Sequence, residues 1–166
     1  MKTFIEPGQL TYHSKFIPLF RAFGDYFEQF RWLLTSCECE WYSDDFKYVP
    51  KPGRRSGPAM RPRLMSGAEL RRVAAAPRVD FDWGVFTGFD PSTPVDLNHL
   101  AVEPWVEFNP AIFDPSRGTQ YPGAAVEVVF WDSTHMIVTS DDEDLHRRLR
   151  AYFPEARPMP PLPTTK

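Results

Sequence analysis

Cysteine is nearly absent: the 166 residues hold only Cys37 and Cys39. Two apart on a strand, they would share a face, where neighbouring residues make awkward disulfide partners. No further cysteine completes a zinc set, so a disulfide scaffold and a structural zinc module are both excluded. Two reduced thiols are expected, in a reducing compartment. Histidine is also sparse, and His13, His99, His135 and His146 never fall three or four residues apart. No two are therefore forced onto one helix face as metal ligands. No apolar run approaches the ~20 residues that span a bilayer. Met1 to Gly8 lacks the apolar segment of a secretory leader. Glycine-rich phosphate loops are missing: there is no Walker loop, and no G-x-G-x-x-G after a strand. The G-x-S-x-G nucleophile turn is missing too. These absences predict a cytoplasmic protein with no membrane segment, no metal and no cofactor.

Aromatic residues and proline are abundant. The chain has 14 Phe, 5 Trp and 18 Pro. Large rings should dominate the core, and the prolines should punctuate loops and the tail. Net charge is only −3, but it is unevenly spread. Residues 51–72 hold seven Lys/Arg and one acid, Glu69, whereas residues 80–144 hold thirteen Asp/Glu and one base, Arg117. An acidic field over the second half argues against nucleic acid as a partner and for a basic protein or ligand.

The most informative stretch is Tyr121 to Phe153. Ala125 to Trp131 (AVEVVFW) reads as a strand, Asp132-Ser133-Thr134 as a turn, and His135 to Thr139 as a second strand. Val126, Val128 and Phe130 share one face; Glu127, Val129 and Trp131 share the other. Ser140 and Glu143 have capping-box spacing, which predicts a helix from Ser140. Leu145, Leu149 and Tyr152 form its apolar stripe, and Pro154 stops it.

Upstream, Gln9 to His13 reads as a short strand. Pro18 opens a helix along Leu19, Phe20, Phe23, Phe27 and Phe30, weakened by Gly24. Trp32 to Tyr42 reads as a strand. Residues 50–63 form a basic loop with four prolines and two glycines, expected to be mobile. Ser66 and Glu69 make a second capping box, for a helix ending at Pro77. From Val79 to Phe89 the sequence alternates, with Val79, Phe81, Trp83 and Val85 on one face, and Gly84 marks a bulge or a close approach. Pro104 to Phe108 reads as a short strand between turn-rich links. The prediction is an α+β fold: a mostly antiparallel sheet of four to five strands with two to three helices packed on it. One domain covers residues 1–153, followed by a Pro-rich tail at 154–166.

No catalytic constellation emerges. Asp132, Ser133 and His135 place a carboxylate, a hydroxyl and an imidazole at one turn, which suits a small hydrolase or transferase. A third reading is a scaffold with an exposed aromatic patch. The strand ending in WDST, the second strand, the helix and the final YFPEA, with Trp83, Trp105, Trp131, Asp132, Ser133 and Pro154, resemble the C-terminal half of bacterial immunity proteins encoded beside secreted toxins. That resemblance spans residues 79–156. It implies a non-enzymatic inhibitor that binds its cognate toxin and occludes the active site. With the acidic field, it nominates Asp90, Asp96, Glu103, Asp114, Asp132, Asp141, Asp142 and Asp144 as the residues facing a basic toxin.

Overall fold

A computed structural model describes residues 1–5, 16–39, 62–75, 79, 81–154 and 156–160. Its centre is one antiparallel sheet, of seven strands among these residues, in the order β3-β2-β4-β5-β6-β1-β7. The strands are β1 (Lys2–Ile5), β2 (Arg31–Cys39), β3 (Arg63–Ser66), β4 (Phe81–Phe89), β5 (Val126–Trp131), β6 (His135–Ser140) and β7 (Arg157–Pro158). The helices are α1 (Ile17–Phe23), α2 (Gly67–Ala74) and α3 (Glu143–Tyr152). The α+β class and the antiparallel sheet are as the sequence predicts; the strand count is higher. The extra strands β1, β3 and β7 are edge or near-edge segments of four residues or fewer. They are too short to show a period of their own. The strand expected at Gln9 to His13 and most of the basic loop at 50–63 lie outside the described residues.

β4, β5 and β6 are consecutive antiparallel neighbours, and only β5 and β6 are joined by a tight turn. The β5–β6 turn puts Asp132 (φ 50) and Ser133 (φ 51) in the left-handed region. Thr134 N–H closes it on the Trp131 carbonyl at 2.9 Å. Two left-handed central residues make a type I′ turn, whose twist matches that of the flanking strands. Pro104 to Phe108 is not a strand. It belongs to the long connection between β4 and β5, residues 90–125, which crosses the sheet instead of extending it.

Two bulges correct the expected faces. In the β2–β4 pairing the register shifts between Leu34 and Ser36, and again between Glu38 and Cys39. Across the second shift Phe81 pairs with Cys39 and Trp83 with Glu38, leaving Asp82 as the extra residue. An inserted residue reverses the alternation. Phe81 therefore joins Phe86 on the helical side, while Trp83 and Val85 face the other way. Gly84 is not the bulge but a close approach. A Cβ there would sit 2.8 Å from the Phe86 ring, and one at Gly88 would meet Val126 at 2.6 Å and the Trp32 ring at 3.3 Å.

On the helical side α1, α2 and α3 bury the aromatic core. Phe16 is at its centre, with ring centroids 4.5 Å from Phe86, 4.9 Å from Phe130 and 5.4 Å from Phe81. Trp32 stacks on Phe27 at 4.4 Å and donates its indole N–H to the Phe27 carbonyl at 3.0 Å. Gly24 does more than weaken the first helix. With φ 58 it ends the α-helical turns, and residues 24–29 continue as a 3-10 helix. α2 is capped as expected, the Ser66 hydroxyl accepting from Glu69 N–H at 3.1 Å. α3 is not capped by Ser140. That residue remains in β6, paired with Val126, its hydroxyl donating to the Ala125 carbonyl at 2.8 Å. The cap is Asp142, which accepts from Asp144 N–H at 2.8 Å and Leu145 N–H at 3.2 Å.

The tail begins as part of the fold. Pro158 and Arg157 pair with Thr3 and Phe4, and Ala156 and Met159 are buried. Cys37 is buried and faces the helical side. The side chain of Cys39 lies outside the described residues. Among the described residues, no helix is long and apolar enough to cross a membrane.

Candidate functional site

Residues 90–125 form a second layer on the sheet face opposite the helices. A connection this long exceeds the ~12–15 residues beyond which ordered loops are usually functional. Its order comes from side chains. Asp90 accepts from Ser92 N–H at 2.9 Å, Asp96 from Asn98 N–H at 2.9 Å, and Asp114 from Ser116 N–H at 2.9 Å. Each makes an Asx-turn, in which a short carboxylate replaces a backbone acceptor. The Ser92 hydroxyl, the Asn98 backbone N–H and the Ser116 hydroxyl respectively lead in holding these three carboxyls below the usual range. Thr35, the extra residue of the first bulge, donates its hydroxyl to the Pro104 carbonyl and ties this layer to β2.

This layer leaves two large aromatic side chains exposed. Trp105 is 43% exposed and Phe108 84% exposed. Phe108 has φ 56, in the left-handed region. It sits in the turn closed by Asn109 N–H on the Val106 carbonyl at 3.1 Å. A bulky residue on such backbone costs about 1–3 kcal/mol and persists only where its surroundings fix it. Here the fixing residue is Asn109, itself buried. Its side-chain amide donates to the Trp105 carbonyl at 2.9 Å and to Gln120 Oε1 at 3.0 Å, and its oxygen accepts from Ala111 N–H at 3.1 Å. Residues 90–125 hold five carboxylates and one guanidinium, Arg117.

The inward side leaves a cleft of about 410 Å³ against the sheet. Lys2, from β1, and Glu127, from β5, line it, and both are buried. Lys2 Nζ donates to the Ala111 carbonyl at 3.3 Å and the Ile112 carbonyl at 3.0 Å. Glu127 accepts from Gln120 N–H at 3.0 Å and Gln120 Nε2 at 3.3 Å. Burial pushes the Glu127 carboxyl above the usual range and the Lys2 ammonium below its own.

The eight nominated acids do not form one surface. Asp90, Asp96, Glu103 and Asp114 belong to the loop layer. Asp132 is exposed at the tip of the β5–β6 turn. Asp141, Asp142 and Asp144 stand at the other end of that hairpin, where α3 begins. There Asp142 caps the helix and is kept below the usual carboxylate range, first by a hydrogen bond from Tyr26. Asp144 pairs with Arg147 at 2.8 Å. At the turn, Ser133 donates its hydroxyl to Asp82 across the bulge, and His135 Nδ1 lies 2.7 Å from the Thr134 hydroxyl. Ser133 and His135 are thus each engaged elsewhere. No group of three or more His, Cys, Asp or Glu able to hold a metal occurs among the described residues.

Sequence reading overlooked Phe108, Asn109, Gln120, Lys2 and Glu127 as a site. Two signals were present. Glu127 is a lone carboxylate inside an apolar strand, and Phe-Asp-Pro-Ser occurs twice, at 89–92 and 113–116, marking two turns of one layer. Comparison with protein-family models, with curated proteins and with solved structures finds no match to this chain.

Proposed function

We propose that this chain is a non-enzymatic binding protein of the immunity type, which neutralises a basic protein toxin in the cytoplasm by covering its active site. The observation that carries the reading is Phe108: a phenylalanine on left-handed backbone, almost fully exposed, held there by a buried asparagine. Among the described residues, no packing contact of the Phe108 ring repays that arrangement. A partner with a pocket for the ring gains directly, because aromatic anchors dominate protein interfaces. The carboxylates of the same layer supply steering towards a basic surface, and Trp105 supplies a second anchor. The reading narrows the nominated acids to the loop-layer set, Asp90, Asp96, Glu103 and Asp114. Glu107 joins them as the exposed neighbour of Phe108.

The test is protection of cells that express the toxic protein encoded beside this chain. Wild type restores growth, and the purified pair associates more weakly as salt rises. Phe108→Gly with Trp105→Ala removes protection while the chain stays folded. Phe108→Gly alone leaves stability unchanged or raises it by about 1 kcal/mol, since glycine tolerates the backbone that phenylalanine resists. Protection untouched by the double substitution, or by Asp96→Lys with Glu107→Lys, would sink the reading.

A further inference from the structure

We infer that the cleft beneath the loop layer binds a small zwitterion carrying a carboxylate, an amine and an apolar side group, a free amino acid being the simplest case. The inference starts from two adjacent rows on one face of the sheet. In the first row Val85 pairs with Val129, Val129 with Ile137, and Ile137 with Phe4. All four are buried beneath Val106 and Ile112 of the loop layer. Two residues along, Thr87 pairs with Glu127, Glu127 with Thr139, and Thr139 with Lys2. These four are buried as deeply, with exposures of 0%, 2%, 2% and 4%. A cover needs only apolar residues there, and buried ionisable groups are on average no more stabilising than hydrophobes of equal volume. The polar row also coincides with the gap. Lys2 and Glu127 line the cleft, and its volume of about 410 Å³ is of the size that small-molecule sites have.

The fastening of the loop layer does not use up these groups. Lys2 meets two carbonyls and has a third N–H. Glu127 takes one hydrogen bond on each oxygen, leaving lone pairs on both. Thr87 Oγ1 has no hydrogen-bond partner among the described residues. Arg117 lines the cleft and retains N–H groups beyond its 3.5 Å contact with Asp114. A ligand carboxylate fits between Lys2 and Arg117, and a ligand amine fits at Glu127. Val102, Ile112 and the Trp105 ring supply the apolar wall. Lining of both signs selects against a simple anion or a simple cation. Burial favours the protonated Glu127 carboxyl, so a ligand ammonium competes with a proton there and affinity rises with pH through that titration. The proposal needs neither Phe108 nor a protein partner, although Trp105 and Asn109 line the cleft as well.

The experiment is calorimetric titration and thermal shift of the full chain with free L-amino acids, one at a time. Matched amines lacking the carboxylate, and matched acids lacking the amine, serve as controls. At least one amino acid should bind at millimolar concentration or below, with both controls about tenfold weaker or more. Arg117→Ala, at an exposed side chain, should weaken binding about tenfold without altering the fold. Glu127→Gln should weaken it similarly and remove its pH dependence. Absence of binding by every amino acid would overturn the proposal, as would binding that Arg117→Ala leaves intact. Equal affinity for the controls would overturn it too.

Discussion

On one face of the sheet, three helices bury a set of interlocked phenylalanine rings. On the other, residues 90–125 lie as a succession of turns, with one short 3-10 helix at Pro110–Phe113. The helical side is held by apolar packing: Phe16, Phe23, Phe27, Phe81, Phe86 and Phe130 are all essentially inaccessible. The loop side has smaller apolar clusters, and polar ties do much of the fastening: Thr35 to Pro104, Lys2 to Ala111 and Ile112, Gln120 to Glu127. The difference teaches where binding can reside. A close-packed aromatic layer has no room to rearrange. A layer of turns can carry an exposed ring outward and leave a cleft inward, because the sheet and helices supply most of the stability.

The contrast can be broken or sharpened by substitution. Phe16→Ala should cost about 3–5 kcal/mol in denaturant unfolding, since it empties the centre of the aromatic core. Ile112→Ala, the loop-side counterpart, should cost about 2 kcal/mol, at the lower end for aliphatic deletions, because turns relax around the cavity. Hydrogen exchange should then accelerate at residues 102–120 and not in the helices. Equal costs at the two positions would erase the distinction. Asp142→Ala should cost about 1 kcal/mol and fray α3, whereas Ser140→Ala should leave the helix capped.

The smallest effect is a pair of opposed slopes with pH. His146 is fully buried between α3 and the sheet. Its Nε2 donates to the Ser140 carbonyl at 3.0 Å, and its Nδ1 accepts from the Thr3 hydroxyl at 2.6 Å. That pattern requires the neutral ring, and desolvation lowers its pKa. Below the unfolded value of 6.5 the unfolded chain binds the proton more readily. The His146 contribution is thus complete above that value and is lost as pH falls through the folded pKa. Glu127 acts the other way. Its folded pKa is raised above 4.5, so its contribution is complete below that value and is lost as pH rises through the folded pKa. Unfolding followed against pH should show the acid slope flatten in His146→Gln and the opposing slope flatten in Glu127→Gln.

Much of the fold was legible. The β5–β6 hairpin, the Ser66 cap and the Leu145–Leu149 part of the α3 stripe are set by residues within a few positions of one another, and local periodicity reports such structure directly; Tyr152, expected in that stripe, is exposed, and His146 is buried instead. The bulges were not legible, because an extra residue at Asp82 is defined only by its pairing with β2. The site was less legible still. Reading acids as a surface grouped Asp90 with Asp141 and Asp142, although the first shapes a turn of the loop layer and the last caps a helix.

The sequence by itself determined an α+β chain with an aromatic core, an acidic second half and no metal- or phosphate-binding motif, since composition, period and spacing are properties of the chain alone. Only the tertiary structure decided that residues 90–125 cover the sheet instead of joining it. The same is true of Lys2 and Glu127 lining one cleft beneath that cover, and of Phe108 pointing out of it. Each of those outcomes depends on strands distant in sequence coming into register, and the position of a side chain in such a sheet follows from its partners rather than from its neighbours.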